Sequence, residues 1–414
     1  MPGSPTAAAT QEAAYRSPTS HRGSVALARR LLWAAASLVL FGGCSTPRVL
    51  RWGPCVQAPT PGAVAVVART WLASRLRLDV LDSAGAPIYS VEDAAETVHH
   101  VLPLEGLPAG ARHAYTLREA GVPAKDPLAR GSAEVESSAD RHGPLRFAVV
   151  GDSGPIGFFR SKPQWKVAPQ IAAFEPDLLL HVGDIVYSHK GEPEDEFADA
   201  FFLPFAPVLA HAPVFVTRGN HDLEVGGGQA CFEFLELPAG PEGEAYYSFD
   251  HGAVHFATVD TSSVRLFSDA QVKWLDQDLA KSSAPWKIVF THHPPFDSTE
   301  TGAPKDPAAL APILDACLRH GVAVVLSGHR HDYERYRAIP GPQGSLTVVV
   351  SGGGGATLAR AMRPDARRAA GAIAHHHLQV RVDGQRLELR AVSLDGQSID
   401  SAVIPRGSTG PPPP

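Results

Sequence analysis

The chain has 414 residues, enough for about two to three domains, with 37 Lys and Arg against 43 Asp and Glu, a formal charge of −6. That balance leaves no basic footprint for a nucleic-acid backbone, so no nucleic-acid binding is expected. A composition 44% apolar and 19% charged excludes a disordered chain, and four cysteines are too few for a disulfide scaffold, so a packed core must carry the stability.

At the N-terminus, Arg29-Arg30 precede an apolar run over 31–41 that closes on Gly42-Gly43-Cys44. A basic start followed by a run too short to span a bilayer reads as a signal peptide over residues 1–44. Two small residues before Cys44 resemble a bacterial lipoprotein cleavage site, where the cysteine would be lipidated. Phe41 stands where a leucine-like residue is usual, so plain secretion stays open, and the arginine pair also fits a twin-arginine signal. The expectation is an exported protein, a periplasmic or cell-surface lipoprotein held through Cys44, or alternatively a secreted one. No later segment reaches the apolar length of a spanning helix, and the oligomeric state is not legible.

From 51 to 141 apolar residues alternate with polar ones. Leu76, Leu78 and Val80 face one way and Arg75, Arg77 and Asp79 the other, and Pro, Gly and Asp clusters interrupt at short intervals. Period two with frequent turns predicts a small all-β sandwich. Asp93 and Glu96 read as part of its solvated face.

From 144 to 405 the pattern becomes α/β. Apolar strand runs fall at 146–150, 177–182, 213–217, 255–259, 287–290, 322–326 and 346–350, with helices between them. Ser268 and Gln271 form a capping box ahead of Val272, Leu275 and Leu279, and Asp306-Pro307 opens a helix whose stripe is Leu310, Ile313, Leu314, Cys317 and Leu318, closed by Gly321. Strands this apolar are buried on both faces. The Pro-rich residues 406–414 are expected to be a disordered tail.

The chemistry lies at the strand ends. These read Gly151-Asp152-Ser153-Gly154, Gly183-Asp184-Ile185-Val186-Tyr187, Gly219-Asn220-His221-Asp222, Thr291-His292-His293-Pro294-Pro295 and Gly328-His329-Arg330-His331-Asp332. Sites in open α/β sheets form beyond the carboxyl ends of strands. Any one of these residues has a structural use, as a cap, a turn or a surface histidine; five in phase with five strands point to one site. Carboxylate, amide, imidazole and phenol without thiolate suit iron, manganese or zinc rather than a closed structural zinc site. Donors for two ions sharing one carboxylate make a centre that clamps a displacement at phosphorus.

In this order, Asp152, Gly183-Asp184-x-x-Tyr187, Gly219-Asn220-His221-Asp222, His292-x-Pro294 and Gly328-His329-x-His331 resemble the calcineurin-like metallophosphoesterases. Gly154 stands where that superfamily has a histidine, and Tyr187 is gained three residues after Asp184. This exchange resembles the purple acid phosphatases, as do Tyr246-Tyr247-Ser248-Phe249-Asp250 and the GHRHDYER segment from Gly328 to Arg335. The resemblance covers about residues 144–400. It implies a four-layer sandwich of two mixed sheets flanked by helices, preceded at 51–141 by a fibronectin-like sandwich.

It also implies ferric iron held by Asp152, Tyr187 and His331, Asp184 bridging, and Fe2+, Zn2+ or Mn2+ held by Asn220, His292 and His329. His221 would contact the phosphate and Asp222 orient it; His293 would either face substrate or pack. No second histidine pair follows Pro294-Pro295, which leaves the leaving-group side of the pocket undefined. The expected activity is acid phosphatase action on small phosphate monoesters by attack of a metal-bound hydroxide. The alternatives are a phosphodiesterase or nucleotide-cleaving enzyme, a non-catalytic cell-surface binding module, and an iron-storage or redox protein.

Three features are left to simpler uses. Gly352 to Gly355 lacks the lysine of a P-loop and reads as a tight turn near the site. His375-His376-His377 reads as a solvated loop or strand start. A Cys55–Cys231 disulfide is conceivable in an oxidising compartment but cannot be read from sequence.

Overall fold

The computed structural model describes residues 49–60, 62–108, 111–123, 127–135, 144–154, 162–187, 190–263, 267–296 and 310–406. The export signal, Cys44, the helix opening at Asp306-Pro307 and the end of the tail lie outside them. Among the described residues no helix is long and apolar enough to cross a membrane.

The alternating region folds as two facing antiparallel sheets. One orders the strands Leu50–Thr60, Ala63–Ser74 and Thr97–Glu105; the other orders Pro87–Glu92, Leu76–Leu81, Ala111–Glu119 and Ala129–Val135. Leu76, Leu78, Val80 and Leu117 from one sheet meet Val64, Val66, Leu102 and Leu104 from the other in a dry core. The expected solvated face holds for Glu96, which is exposed. Asp93 departs from it: its Oδ2 accepts from the Leu76 amide at 2.7 Å and sits 2.6 Å from Nδ1 of the buried His100.

The α/β region is built on two mixed sheets. A six-stranded sheet runs Val214–Val216, Leu178–His181, Leu145–Val150, His376–Asp383, Arg386–Ser393, Ser398–Pro405. The larger sheet runs Tyr247–His251, Val254–Thr258, Trp286–Phe290, Val324–Ser327, Gly344–Ser351, Tyr333–Tyr336, Arg368–Ala372. Their inner faces share one core in which Phe147 meets Phe256 edge-on at 5.3 Å. Helices cover the outsides. Asp269–Lys281 and Ala311–Arg319 bury Leu275, Leu279, Ile313 and Cys317 against the larger sheet, and Gln164–Phe174 buries Val167 and Ile171 in the shared core. The Ser268 side chain accepts from the Gln271 amide, the cap its spacing predicts. The apolar strand runs predict strands buried on both faces, and the mixed α/β four-layer architecture is the one that the resemblance implies.

The small sandwich does not stand apart. Trp52, Cys55 and Val67 belong to the α/β core, and the Trp52 ring stacks on Phe202 at 3.9 Å. Phe202 lies in the helical run formed by Pro193–Phe197, Ala198–Phe202 and Leu203–Leu209. The same run is held by Arg51 and Arg69, paired to Glu194 and Asp195, and by Tyr115 Oη, which donates to the Ala210 carbonyl at 2.9 Å. Cys55, Cys231 and Cys317 are buried free thiols, so Cys55 and Cys231 are not bridged.

Candidate metal centre

Each expected ligand follows the carboxyl end of a strand. Asp152 lies two residues past Leu145–Val150, Asp184 three past Leu178–His181, Asn220 four past Val214–Val216, His292 two past Trp286–Phe290, and His329 and His331 after Val324–Ser327. The loops are laced by backbone bonds: Asp152 N donates to Gly183 O at 2.9 Å, Ser153 N to Asp184 O at 3.1 Å and Gly328 N to His292 O at 3.0 Å. Asp152, Asp184 and His329 all adopt left-handed backbone, with φ of 55°, 52° and 69°. Such conformations in non-glycine residues persist where the surroundings over-determine them, and they cluster at functional sites.

Two groups of donors result. In the first, Asp152 Oδ1 lies 3.4 Å from His331 Nε2 and 3.5 Å from Tyr187 Oη, with Tyr187 Oη 3.0 Å from His331 Nε2. In the second, His292 Nε2 lies 3.2 Å from Asn220 Oδ1, 3.3 Å from His329 Nδ1 and 3.4 Å from Asp184 Oδ2. Asp184 belongs to both, because its ligand atom also lies within 4.8 Å of those of Asp152 and His331.

The proton count in these groups is the test of fit to metal ions. His292 Nδ1 faces the Val182 carbonyl at 2.9 Å and His331 Nδ1 the Thr357 carbonyl at 2.5 Å. With the proton on Nδ1, each Nε2 presents a lone pair, the arrangement by which a metal-binding imidazole is oriented. Lone pairs therefore converge on lone pairs, and the buried Asp184 Oδ2 accepts no hydrogen bond among the described residues. Cations would resolve that conflict, and the hard and borderline donor set would suit iron, zinc or manganese.

The electrostatics carry the same signature. Burial pushes the Asp184 carboxyl up, but His292 and His221 beside it hold it at about 2. Burial opposes charge on His292, yet Asp184 beside it raises it to about 9, the direction in which a buried anion calls for positive charge. Burial raises Asp152 despite His331, and burial and the surrounding carboxylates push the Tyr187 phenol well up, so only a strong cation would hold its phenolate. His329 is driven well down by burial and its histidine neighbours.

The remaining expected residues divide. His221 sits at the mouth, its side chain 36% exposed, with its ring 4.4 Å from that of Tyr187 and Nδ1 3.1 Å from Glu224 Oε1. Asp222 does not orient it. The Asp222 carboxylate is fully buried and accepts the amides of Gly219, Asp184, Ile185 and Val186 at 2.7, 2.9, 2.9 and 3.1 Å, so Glu224 is the partner of His221. Consecutive side chains diverge in this turn, and proximity in sequence did not become contact. His293 packs its ring 4.0 Å from that of His329, its amide donates to Thr261 Oγ1, its Nδ1 is buried without a partner, and its ligand atom lies within 4.8 Å of those of His292 and His329.

Other supporting residues carry no sequence signal. His181 is buried inside a strand run, its Nε2 2.8 Å from Ser153 Oγ. Arg218 pairs with Asp260 behind the Asn220 loop. Close approach explains two glycine features. A Cβ on Gly219 would lie 2.0 Å from Asp184 Oδ1, and the Gly352 to Gly355 turn lies directly beneath the site, where a Cβ on Gly352 would meet the Arg330 carbonyl at 2.0 Å and Asp152 Oδ2 at 2.7 Å. His375 Nδ1 lies 3.2 Å from the Gly353 carbonyl of this turn, and the His376 amide donates to that carbonyl at 3.0 Å. His376 begins a strand as expected, but it and His377 are buried rather than solvated.

Comparison with known proteins agrees with this geometry. The calcineurin-like phosphoesterase family model matches residues 145–333. Purple acid phosphatase 23 of Arabidopsis thaliana is 29% identical over 297 residues, covering 62% of this chain and 62% of that protein, so the chain spans less than two thirds of that relative. A purple acid phosphatase from yellow lupin (Lupinus luteus) seeds superposes with a TM-score of 0.69 at 18% identity, over 85% of this chain and 74% of that one. PhoD superposes with a TM-score of 0.64 at 14% identity, over 89% and 92%. Residues 145–333 therefore match the calcineurin-like phosphoesterase family model, and the chain that carries them is similar in sequence and in fold to purple acid phosphatases.

Proposed function

We propose that this chain is an exported, binuclear metal-dependent phosphatase acting on small phosphate monoesters. The observation that carries the reading is Asp184: a buried carboxylate with an unpartnered oxygen, set between two groups of converging lone pairs. Asp152, Tyr187 and His331 would hold one ion, Asn220, His292 and His329 the other, with Asp184 bridging. Two ions so placed would polarise phosphoryl oxygens and lower the pKa of bound water to supply a nucleophile near neutral pH.

The chain's own residues do the rest. Val182 and Thr357 fix the tautomers of His292 and His331 through their carbonyls. His221, braced on Tyr187 and steered by Glu224, presents its other ring nitrogen at the mouth, where it can donate to a phosphoryl oxygen or protonate the leaving oxygen. The buried walls exclude bulk water, which strengthens each of these interactions. Export rests on the leader sequence, with Cys44 as the acylated anchor.

The sequence from 293 to 309 contains no histidine besides His293, which keeps a phosphodiester substrate as the second reading. Assaying a phosphomonoester and a bis-ester across pH, with metal analysis and a visible spectrum, tests both. Two metals per chain, a tyrosinate band lost in Tyr187→Phe, and faster monoester turnover are expected. A colourless protein that cleaves only diesters would overturn the first reading, and one that binds metal without releasing phosphate would overturn both.

A further inference from the structure

We infer that the Trp71–Leu72 bulge is a lipid-facing surface that seats the protein on the bilayer; this rests on the reading of Cys44 as an acylated anchor. Trp71 is 57% exposed and Leu72 79%, adjacent large apolar side chains on the surface. The strands Ala63–Ser74 and Thr97–Glu105 pair regularly to Arg69 opposite His99 and resume only at Ser74 opposite Thr97, so residues 70–73 bulge out across from Val98, itself 37% exposed. The bulge is held in shape: Thr70 Oγ1 donates to the Leu72 carbonyl at 2.8 Å and lies 3.0 Å from His100 Nε2.

The position of this bulge decides the partner. The Trp71 amide donates to the Val49 carbonyl at 3.2 Å, so the bulge is fixed to the first described residue of the chain. Val49 follows Cys44 by five residues, a tether that spans at most about 18 Å when fully extended. An acyl chain on Cys44 thus brings a membrane within reach of the Trp71–Leu72 surface. The chemistry fits an interface: an indole settles at headgroup level and Leu72 enters the acyl boundary, while Arg51, 4.8 Å over the Trp71 ring, is neutralised by Glu194 and Asp195 beneath the surface. Ile88, 55% exposed on the strand Pro87–Glu92 of the other sheet, provides a control position.

The test uses the full chain purified from an exporting bacterium and reconstituted in phosphatidylcholine–phosphatidylglycerol vesicles containing doxyl-quencher lipids. Leu72→Cys and Ile88→Cys carry an environment-sensitive fluorophore; Cys55, Cys231 and Cys317 are buried, and the parent chain labelled in parallel reports any free Cys44. Acylation is read separately from the mass of the N-terminal peptide. A blue shift and quenching at position 72, absent at 88, supports the surface. An acylated Cys44 with the label at 72 still in water overturns the surface and leaves the anchor standing. No acyl group and no quenching at 72 overturns both, whereas quenching at 72 without an acyl group supports the surface and removes the anchor. A shift at 72 that follows protein concentration without vesicles identifies a second copy as the occupant and overturns the proposal.

Discussion

Asp222 holds Asp184 in place without touching its side chain: the Asp222 carboxylate accepts the Asp184 amide at 2.9 Å and, through the Gly219 amide at 2.7 Å, ties the Asp184 loop to the one that carries Asn220. One buried anion thereby sets the spacing between a shared ligand and a terminal one. Burial and the nearby Asp184 charge push it up to about 7, against the pull of its backbone donors.

Asp222→Asn replaces an acceptor for four amides by a group with one acceptor oxygen and an NH2 that faces those donors. The expected cost is about 3 kcal/mol of stability. Chemical denaturation measures the stability. Metal titration of the folded variant is expected to show weakened binding by both ions, since both loops loosen.

Asp184→Asn tests the shared ligand. Its amide cannot offer the same two anionic oxygens to two ions, so activity is expected to fall by more than the roughly 10–100-fold that loss of an outer supporting residue costs. Metal content should fall below two per chain. Circular dichroism should be unchanged, because Oδ2 accepts no hydrogen bond among the described residues. Retained turnover would remove the bridging role.

His255 provides a pH-dependent clasp away from the site, its ring nitrogens 2.7 Å from Asp250 Oδ1 and 2.8 Å from Asp278 Oδ2. Burial opposes its charge, but the two carboxylates raise it to about 9. A folded-state pKa above the unfolded value stabilises fully below about 6.5 and is lost as pH rises through about 9. His255→Gln should therefore lower the melting temperature at pH 6 and have a much smaller effect at pH 10, and thermal unfolding at the two pH values reads the difference.

Trp52→Ala removes a buried ring from the joint between the sandwich and the α/β core, where it stacks on Phe202. A cost of about 3–5 kcal/mol is expected for such a truncation. Because Trp52, Cys55 and Val67 belong to the same core as Phe147 and Phe256, calorimetry should show one transition shifted downward. A separate early transition for residues 49–135 would show the two parts to be independent.

The strand ends were legible because apolar runs give way to a glycine directly before Asp152, Asp184 and His329, and the left-handed φ values there explain why those stops recur. The Ser268 cap was legible for a similarly local reason, whereas the Gln271 Oε1 expected to complete a capping box accepts from the Asp260 amide at 2.8 Å. What escaped depends on partners distant in sequence. An alternating strand spells the same pattern whether water or another sheet covers its outer face, so nothing marked Trp52 and Val67 as members of the larger core. Histidine and aspartate carry no fixed hydropathy, which hid the burial of His376, His377 and His100 and the pairing of Asp93. Thr357 acts on His331 through its carbonyl, a group every residue possesses.

The glycine turn under Asp152 limits how the pocket can change over evolutionary time. With side-chain-free backbone pressed against Arg330 and Asp152, substitutions from below crowd the ligands before they reshape the cavity. Change in substrate range is therefore expected at the rim, around His221, before it is expected at the base.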